Sequence, residues 1–322
     1  MPMPRRQLVS LQDTPWYHCV SRCVRRAFLC GVDPRSGDDF EHRRDWVEKR
    51  LHDVSAVFSI DVAAFAIMSN HYHIVLHVDA ETAGTWRTED VIDRWHRLFN
   101  GTVLSRKYRD CPNMLSPAET AHVQELAEQW RERLTDMSWF MRCINETISR
   151  QANAEDRCTG AFWEGRFKSQ ALLDERAVLA AMAYVDLNPI RADMAQTPEG
   201  SDHTSIKLRI DAASEGRIPL NLMRFQGADQ KQKPSGIPCS LEHYVELVDW
   251  TGRAVRTGKR GSIDHSVPPI LHRLEISEDT WLTIAMEFED QFRQWVGSDV
   301  AIHAAALRVG KTRSRSPPLI AA

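Results

Sequence analysis

Ser69-Asn70-His71-Tyr72-His73-Ile74-Val75-Leu76-His77-Val78 reads as a β-strand, with Tyr72, Ile74, Leu76 and Val78 alternating against His71, His73, Val75 and His77. Side chains two apart on a strand point the same way, so His71 and His73 project side by side. Their Cα atoms stand roughly 6.6 Å apart, close enough for two imidazoles to converge on one metal ion. His77 shares the face but lies about 13 Å beyond His73, too far to join that ion. Taken alone, such a pair is more often two half-buried histidines facing solvent than a metal site.

Working outward, Ile60 to Met68 is an apolar strand that pairs with the histidine strand through a turn at Ser69-Asn70. Residues 14 to 24 alternate as a first strand, with Tyr17, Cys19 and Ser21 on one face and His18, Val20 and Arg22 on the other. Asp38 to Val57 carries a helical apolar pattern in Phe40, Trp46, Val47, Leu51 and Val54. Strand, helix, strand, strand begins a split β-α-β unit, so the expected fold is α+β, a ferredoxin-like antiparallel sheet with helices. Residues 80 to 135 interrupt it with polar helical stretches (Thr88 to Phe99, Ser116 to Leu134) and are expected to form an insertion. Met137, Phe140, Met141, Ile144 and Ile148 mark the next helix, to about Asn153, and Gly160 to Leu173 a hairpin or loop feeding a strand.

Asp174 to Pro189 reads as a helix with Asp174 as N-cap, Glu175 in the first turn and an end before Pro189. Tyr184 and Asn188 are four apart and share a face. Ala177 and Ala181 on that face leave room for something to approach the phenol, while Val178, Met182 and Val185 form a core stripe.

The His-x-His strand, the later tyrosine and the amide four residues beyond it resemble the single-tyrosine HUH transposases, and in particular the REP-associated tyrosine transposases. The resemblance is carried by Ala66-Ile67-Met68-Ser69-Asn70-His71-Tyr72-His73, by Thr159-Gly160-Ala161-Phe162-Trp163-Glu164-Gly165-Arg166-Phe167-Lys168-Ser169 and by Tyr184-Val185-Asp186-Leu187-Asn188-Pro189-Ile190-Arg191-Ala192. Tyr17-His18-Cys19-Val20-Ser21-Arg22 also looks like the family's first strand. The four pieces span about the first 210 residues, and their order and spacing are more specific than any one of them.

The resemblance implies the HUH endonuclease fold and a metal-dependent endonuclease and strand transferase acting on single-stranded or hairpin DNA. His71 and His73 would hold Mg²⁺ or Mn²⁺, with phosphate oxygen and water completing the shell. Tyr184 would attack the scissile phosphate and leave a 5′-phosphotyrosine and a 3′-hydroxyl. Asn188 matches the family's third metal ligand or positioning amide, where relatives in insertion sequences commonly have Gln. The expected catalytic set is therefore Tyr184, His71, His73 and Asn188, and the expected metal set His71, His73 and Asn188. Tyr72 points the opposite way and should pack.

Gly160 to Lys168 mixes Phe162, Trp163 and Phe167 with Arg166 and Lys168, which can stack bases and hold phosphates or equally anchor a hairpin in the core. Trp163, Arg166 and Lys168 are candidate DNA contacts, with Arg22, Arg25, Arg26 and Arg191 on weaker grounds. The net charge of −3 over 322 residues gives no global nucleic-acid signature, so a DNA site must be a local patch. Met1 to Ser10 has no apolar core of a signal peptide, and no run reaches membrane-spanning length; a cytoplasmic monomer or homodimer with no membrane partner is expected. Seven scattered cysteines make no disulfide framework.

The domain reading is 1–210 for the transposase-like part, with 80–135 inserted, and 211–322 as a mainly helical C-terminal extension. In that extension Leu241 to Trp250 and Ser277 to Trp295 look like amphipathic helices, and basic residues such as Arg253, Lys259, Arg260, Arg313 and Arg315 could bind DNA or simply be solvated. Two other readings stand beside the transposase. One is a zinc-dependent hydrolase using His71 and His73, for which no third ligand is set by spacing. The other is a domesticated DNA-hairpin binder without strand transfer.

Overall fold

The computed structural model of the protein describes residues 8–24, 29–33, 36–227, 236–257, 268–311 and 317–319. Arg25, Arg26, Lys259, Arg260, Arg313 and Arg315 lie outside them. Among the described residues the strands are β1 (Trp16–Arg22), β2 (Ile60–Ile67), β3 (His71–Val78), β4 (Lys168–Leu172) and β5 (Trp295–Val296), in one sheet of order β2-β3-β1-β4-β5. The first four strands follow the ferredoxin-like path, and the fold is α+β as expected, with many helices and a mainly helical C-terminal part. Met68 N–H donates to the His71 carbonyl at 2.8 Å and closes the β2–β3 turn over Ser69 and Asn70. β1 runs antiparallel to both β3 and β4.

The helices are α1 (Arg43–Ser55), α2 (Ala80–Thr85), α3 (Thr88–His96), α4 (Val103–Asp110), α5 (Pro117–Leu134), α6 (Met137–Glu155), α7 (Glu175–Asp186), α8 (Asn188–Arg191), α9 (Ser205–Ser214), α10 (Leu241–Thr257), α11 (Pro269–Arg273), α12 (Glu278–Gln291) and α13 (Asp299–Arg308). The chain divides into two compact units. One comprises residues 1–45, 62–77 and 161–322, and the other residues 46–61 and 78–160.

In the second unit, helices α2 to α5 are grouped with α6 and most of α1. Ser116 caps α5 and exchanges bonds with Glu119 in a capping box, which makes this polar helix start where its sequence indicates. Its inner face is Val123, Ala127, Trp130 and Leu134, and Trp130 stacks on Trp95 of α3 at 5.1 Å, which in turn stacks on Phe99 at 4.1 Å.

In the first unit, the segment after residue 210 is built into the sheet. Ala171 N–H donates to Gln294 and Leu173 N–H to Val296, so β5 extends the sheet as a strand parallel to β4. A helix running through to Trp295 is therefore corrected: α12 ends at Gln291, and Phe292 adopts extended backbone. Two residues make too short a strand to form alone; the open edge of β4 supplies their partners. Asp174 Oδ1 caps α7 through Ala177 N–H at 2.9 Å, and its Oδ2 takes Ser298 N–H at 2.7 Å. Gly297 permits this approach, because a Cβ there would lie 3.0 Å from Asp174 Oδ2 and from Leu173 Cβ.

α7 is apolar around nearly its whole circumference, and every residue from Ala177 to Asp186 is buried. It ends where Pro189 was expected to end it; Leu187 joins it to α8, whose first turn accommodates the proline ring and missing N–H. α12 packs on α7 through Trp281, Ile284, Ala285 and Phe288, an i, i+3, i+4, i+7 stripe, and Trp281 Nε1 donates to Thr251 at 2.9 Å.

Candidate active site

Directly opposed residues of neighbouring strands share a face, so the register assembles one polar face from three strands. His71 stands opposite Arg22, His73 opposite Val20, and His18 opposite Val75 on one side and Gln170 on the other. Lys168 lies opposite Val20 on the β4 side. Tyr72 points the other way, is buried, and meets Trp163 edge-on at 5.7 Å, as its alternation required.

His18 and His73 are almost completely buried and sit side by side, His18 Nε2 being 3.0 Å from His73 Nδ1. His18 Nδ1 contacts Gln170 Oε1 at 2.7 Å, and Gln170 Nε2 donates to the Phe292 carbonyl at 2.7 Å. An amide oxygen only accepts, so this pair assigns the His18 proton to Nδ1 and leaves a lone pair on Nε2. Glu289 of α12 brings Oε1 to 3.6 Å from His73 Nδ1. The ligand atoms of His18, His73 and Glu289 lie within 4.8 Å of one another. His73 Nε2 is buried with no hydrogen-bond partner.

His71 meets His73 edge-on at 4.8 Å, and its Nδ1 is 2.6 Å from Asn70 Oδ1. Burial, reinforced by Arg22, His18 and Lys168, lowers its pKa to about 4. Burial likewise lowers the pKa values of His18 and His73, so all three imidazoles are neutral near pH 7, the form that ligates metal. His77 is held elsewhere, against the Trp16 ring at 4.6 Å.

Tyr184 is 5% exposed. Its ring lies edge-on to His73 at 5.7 Å and to His18 at 6.1 Å, stacks on Phe288 at 5.3 Å and carries the Arg191 guanidinium at 4.4 Å. The room beside the phenol is thus taken by a side chain of α12. Burial raises the phenol pKa, and the Glu289 carboxylate raises it further; Arg191 opposes them. Asn188 Nδ2 is buried and makes no hydrogen bond. Arg191 donates to the Met286 carbonyl at 2.5 Å.

The 160s segment joins the same face. Cys23 bridges Trp163 antiparallel, whereas Val20 pairs with Lys168, so Ser21 and Arg22 face the four residues Glu164 to Phe167. That bulge leaves Arg166 and Lys168 exposed. Phe162 is buried, and Trp163 is half-buried against it and Tyr72, so both rings have anchoring roles. A cavity of about 510 Å³ opens beside this segment, lined by His18, Arg166, Lys168, Gln170, Glu289 and Arg293 among others.

His71, His73, Tyr184, Asn188 and Arg191 thus gather on one side of the sheet's central strands. His18, Gln170, Phe288 and Glu289 were not singled out by sequence reasoning. His18 had a signal, its place on the same alternating face as Arg22; Glu289 had none, since nothing in a helical pattern tells which element it will meet.

No family model matches this chain, and no curated protein matches it. A solved structure described as that of the REP-associated tyrosine transposase bound to a REP hairpin is similar at 12% identity, over 69% of this chain and 89% of that one, with a TM-score of 0.34. A likeness of that degree assigns neither residues nor a reaction.

Proposed function

We propose that this protein is a metal-dependent single-stranded DNA endonuclease and strand transferase, using Tyr184 as nucleophile on hairpin-associated DNA. The observation that carries the reading is the phenol lying edge-on to His73 and His18, beside a cluster of donors suited to a metal ion. The residues fit such an ion: neutral imidazoles, a carboxylate, and a buried His73 nitrogen without a partner. From the sequence, the proposed ligand set is His71, His73 and Asn188, with Mg²⁺ or Mn²⁺ as the ion. A bound divalent ion would supply Lewis-acid polarisation of the phosphate.

The chain's own groups do the rest. The Tyr184 oxygen, losing its proton, forms a bond to phosphorus as the bond from phosphorus to the 3′-oxygen breaks; that oxygen takes up a proton and leaves as a 3′-hydroxyl. The phosphodiester is conserved as a 5′-phosphotyrosine, so another 3′-hydroxyl can reverse the step without a nucleotide cofactor. Arg191 favours the phenolate against the burial that opposes it. Arg22, Trp163, Arg166 and Lys168 are proposed DNA contacts along the strand face and the bulge.

The test is a nicking assay on single-stranded DNA carrying a hairpin, with Mg²⁺ or Mn²⁺. Wild-type protein should form a covalent adduct stable on denaturing gels, and Tyr184→Phe should lose it while retaining DNA binding. An adduct that persists in Tyr184→Phe removes Tyr184 as the nucleophile. Binding with no nicking by wild type favours the hairpin-binding reading. The hydrolase reading gains a specific observation, because His18, His73 and Glu289 form a two-histidine, one-carboxylate set. It requires Zn²⁺-dependent hydrolysis that survives Tyr184→Phe.

A further inference from the structure

We infer that the ion's seat is formed by His18 Nε2, His73 Nδ1 and Glu289 Oε1, and that this donor set selects Mn²⁺ or Zn²⁺ over Mg²⁺. The inference rests on the functional reading above for its purpose, but it changes two of the three ligands. It recruits the seat's carboxylate from α12, a helix of the C-terminal part.

The distances favour this set. Bonds of about 2.1 Å place adjacent ligand atoms roughly 3.0 Å apart in octahedral geometry and about 3.4 Å apart in tetrahedral geometry. His18 Nε2 and His73 Nδ1 are 3.0 Å apart, Glu289 Oε1 is 3.6 Å from His73 Nδ1, and all three atoms lie within 4.8 Å, so it is the carboxylate that must move to close the set. The Glu289 side chain is 28% exposed, so it can adjust to an ion, whereas both imidazoles are fixed by burial.

The surrounding hydrogen bonds prepare His18, whereas His73 Nδ1–H donates to His18 Nε2 and would pass its proton to the partnerless Nε2 on taking an ion. Gln170 Oε1 accepts from His18 Nδ1–H, which orients the ring and turns the Nε2 lone pair toward His73. A carbonyl-type acceptor behind a histidine is the usual support of a metal-ligating imidazole. Gln170 is itself held by the Phe292 carbonyl, one residue beyond the end of α12. The carboxylate ligand and the support of the histidine ligand therefore both depend on the end of the same helix. α12 departs from helical geometry at Glu287, two residues before Glu289.

The donor set also speaks to the ion. Mg²⁺ takes oxygen ligands and keeps its water, whereas two imidazoles with one carboxylate suit Mn²⁺, Zn²⁺ and their neighbours. An ion in this seat would also neutralise the Glu289 charge, which otherwise opposes ionisation of Tyr184.

The test is calorimetric titration of the full chain with Mn²⁺, Zn²⁺ and Mg²⁺ without DNA, with circular dichroism to confirm folding. Wild type should take one ion, with Mn²⁺ and Zn²⁺ at least tenfold tighter than Mg²⁺. Glu289→Gln, at a partly exposed position that should fold, should weaken Mn²⁺ binding at least tenfold. His18→Gln should do the same, and Gln170→Ala should weaken it by a smaller factor. His71→Ala and Asn188→Ala should weaken it less than Glu289→Gln does, and His77→Ala, whose ring packs on Trp16, should stay within about twofold of wild type. The seat is overturned if wild type takes no ion, if Glu289→Gln binds as wild type does, if His71→Ala abolishes binding, or if Mg²⁺ binds as tightly as Mn²⁺. An ion bound in this pattern by a protein that forms no DNA adduct leaves the seat standing and removes the transferase reading. A protein that forms the adduct but keeps its Mn²⁺ affinity in Glu289→Gln does the reverse.

Discussion

Phe288 lies against Tyr184 with ring centroids 5.3 Å apart and planes inclined by 29°, so a residue of α12 forms one wall of the phenol's pocket. Phe288 is fully buried and also meets His18 edge-on at 5.7 Å and Phe292 at 5.2 Å. The aromatic column links helix, Tyr184 and imidazole cluster. Residues 278–292 are thus part of the site's architecture.

Phe288→Ala should cost about 3–5 kcal/mol of stability, since it removes a large buried ring and leaves a cavity that its neighbours can only partly fill. Urea denaturation, comparing midpoints at equal slope, is the measurement. Phe288→Leu should cost much less. A loss under about 1 kcal/mol for the alanine variant would mean that α12 does not pack on the tyrosine helix.

A second prediction concerns Asp186, which is fully buried two residues after Tyr184. Its Oδ1 accepts from the Ser205 hydroxyl at 2.5 Å and Ile206 N–H at 3.0 Å, and its Oδ2 from the Tyr244 hydroxyl at 2.6 Å. Burial nevertheless outweighs these donors and raises its pKa to about 6. The unfolded carboxyl titrates near ~4. The folded chain therefore holds this proton more tightly; the stability it contributes is complete below pH ~4 and is lost as pH rises through about 6. Asp186→Asn preserves an oxygen acceptor for Ser205 and Ile206, so it should fold and should lack this decline. Unfolding free energies of both proteins from pH 4 to 7 test it; parallel curves would show that Asp186 does not titrate there.

What was legible in the sequence was local. The His71/His73 face, the Tyr184–Asn188 face, the N-cap Asp174 and the end of α7 before Pro189 all follow from periodicity and capping, which neighbours in the chain determine. The apolar stripe of α12 was legible too, but not that it would dock on α7, because a stripe records that a face is buried and not against what. His18 became a neighbour of His73 through strand register over 55 residues, and Glu289 through packing over 216. β5 has no signal of its own, since two residues next to a helix take strand form only where an edge waits for them.

Arg166 and Lys168 carry a third prediction. Both are exposed by the bulge and line the cavity that reaches His18 and Glu289. Changing both to alanine should weaken binding to single-stranded DNA and reduce the slope of log affinity against log salt by roughly one unit per lost phosphate contact. Trp163, which also anchors on Tyr72, should cost stability as well as DNA affinity when truncated. An unchanged salt slope in the double variant would place the DNA path away from the bulge.

The last prediction separates a metal site from a histidine-lined basic groove. If His18 and His73 act on one ion, each alanine variant should abolish nicking, and the double variant should be no slower than either single one, because residues working as a unit lose their effect together. His77→Ala should be mild: its ring packs on Trp16 at 4.6 Å, well along the strand from the cluster, so its loss removes packing but no ligand. In a basic groove the three would contribute partial and additive losses, each shrinking as salt rises. The measurement is nicking rate against Mn²⁺ concentration for the three single variants and the His18/His73 double variant, with folding checked by circular dichroism. Equal partial losses at His18, His73 and His77, with Mn²⁺ dependence unchanged, would leave these histidines as a polar strand face and no more.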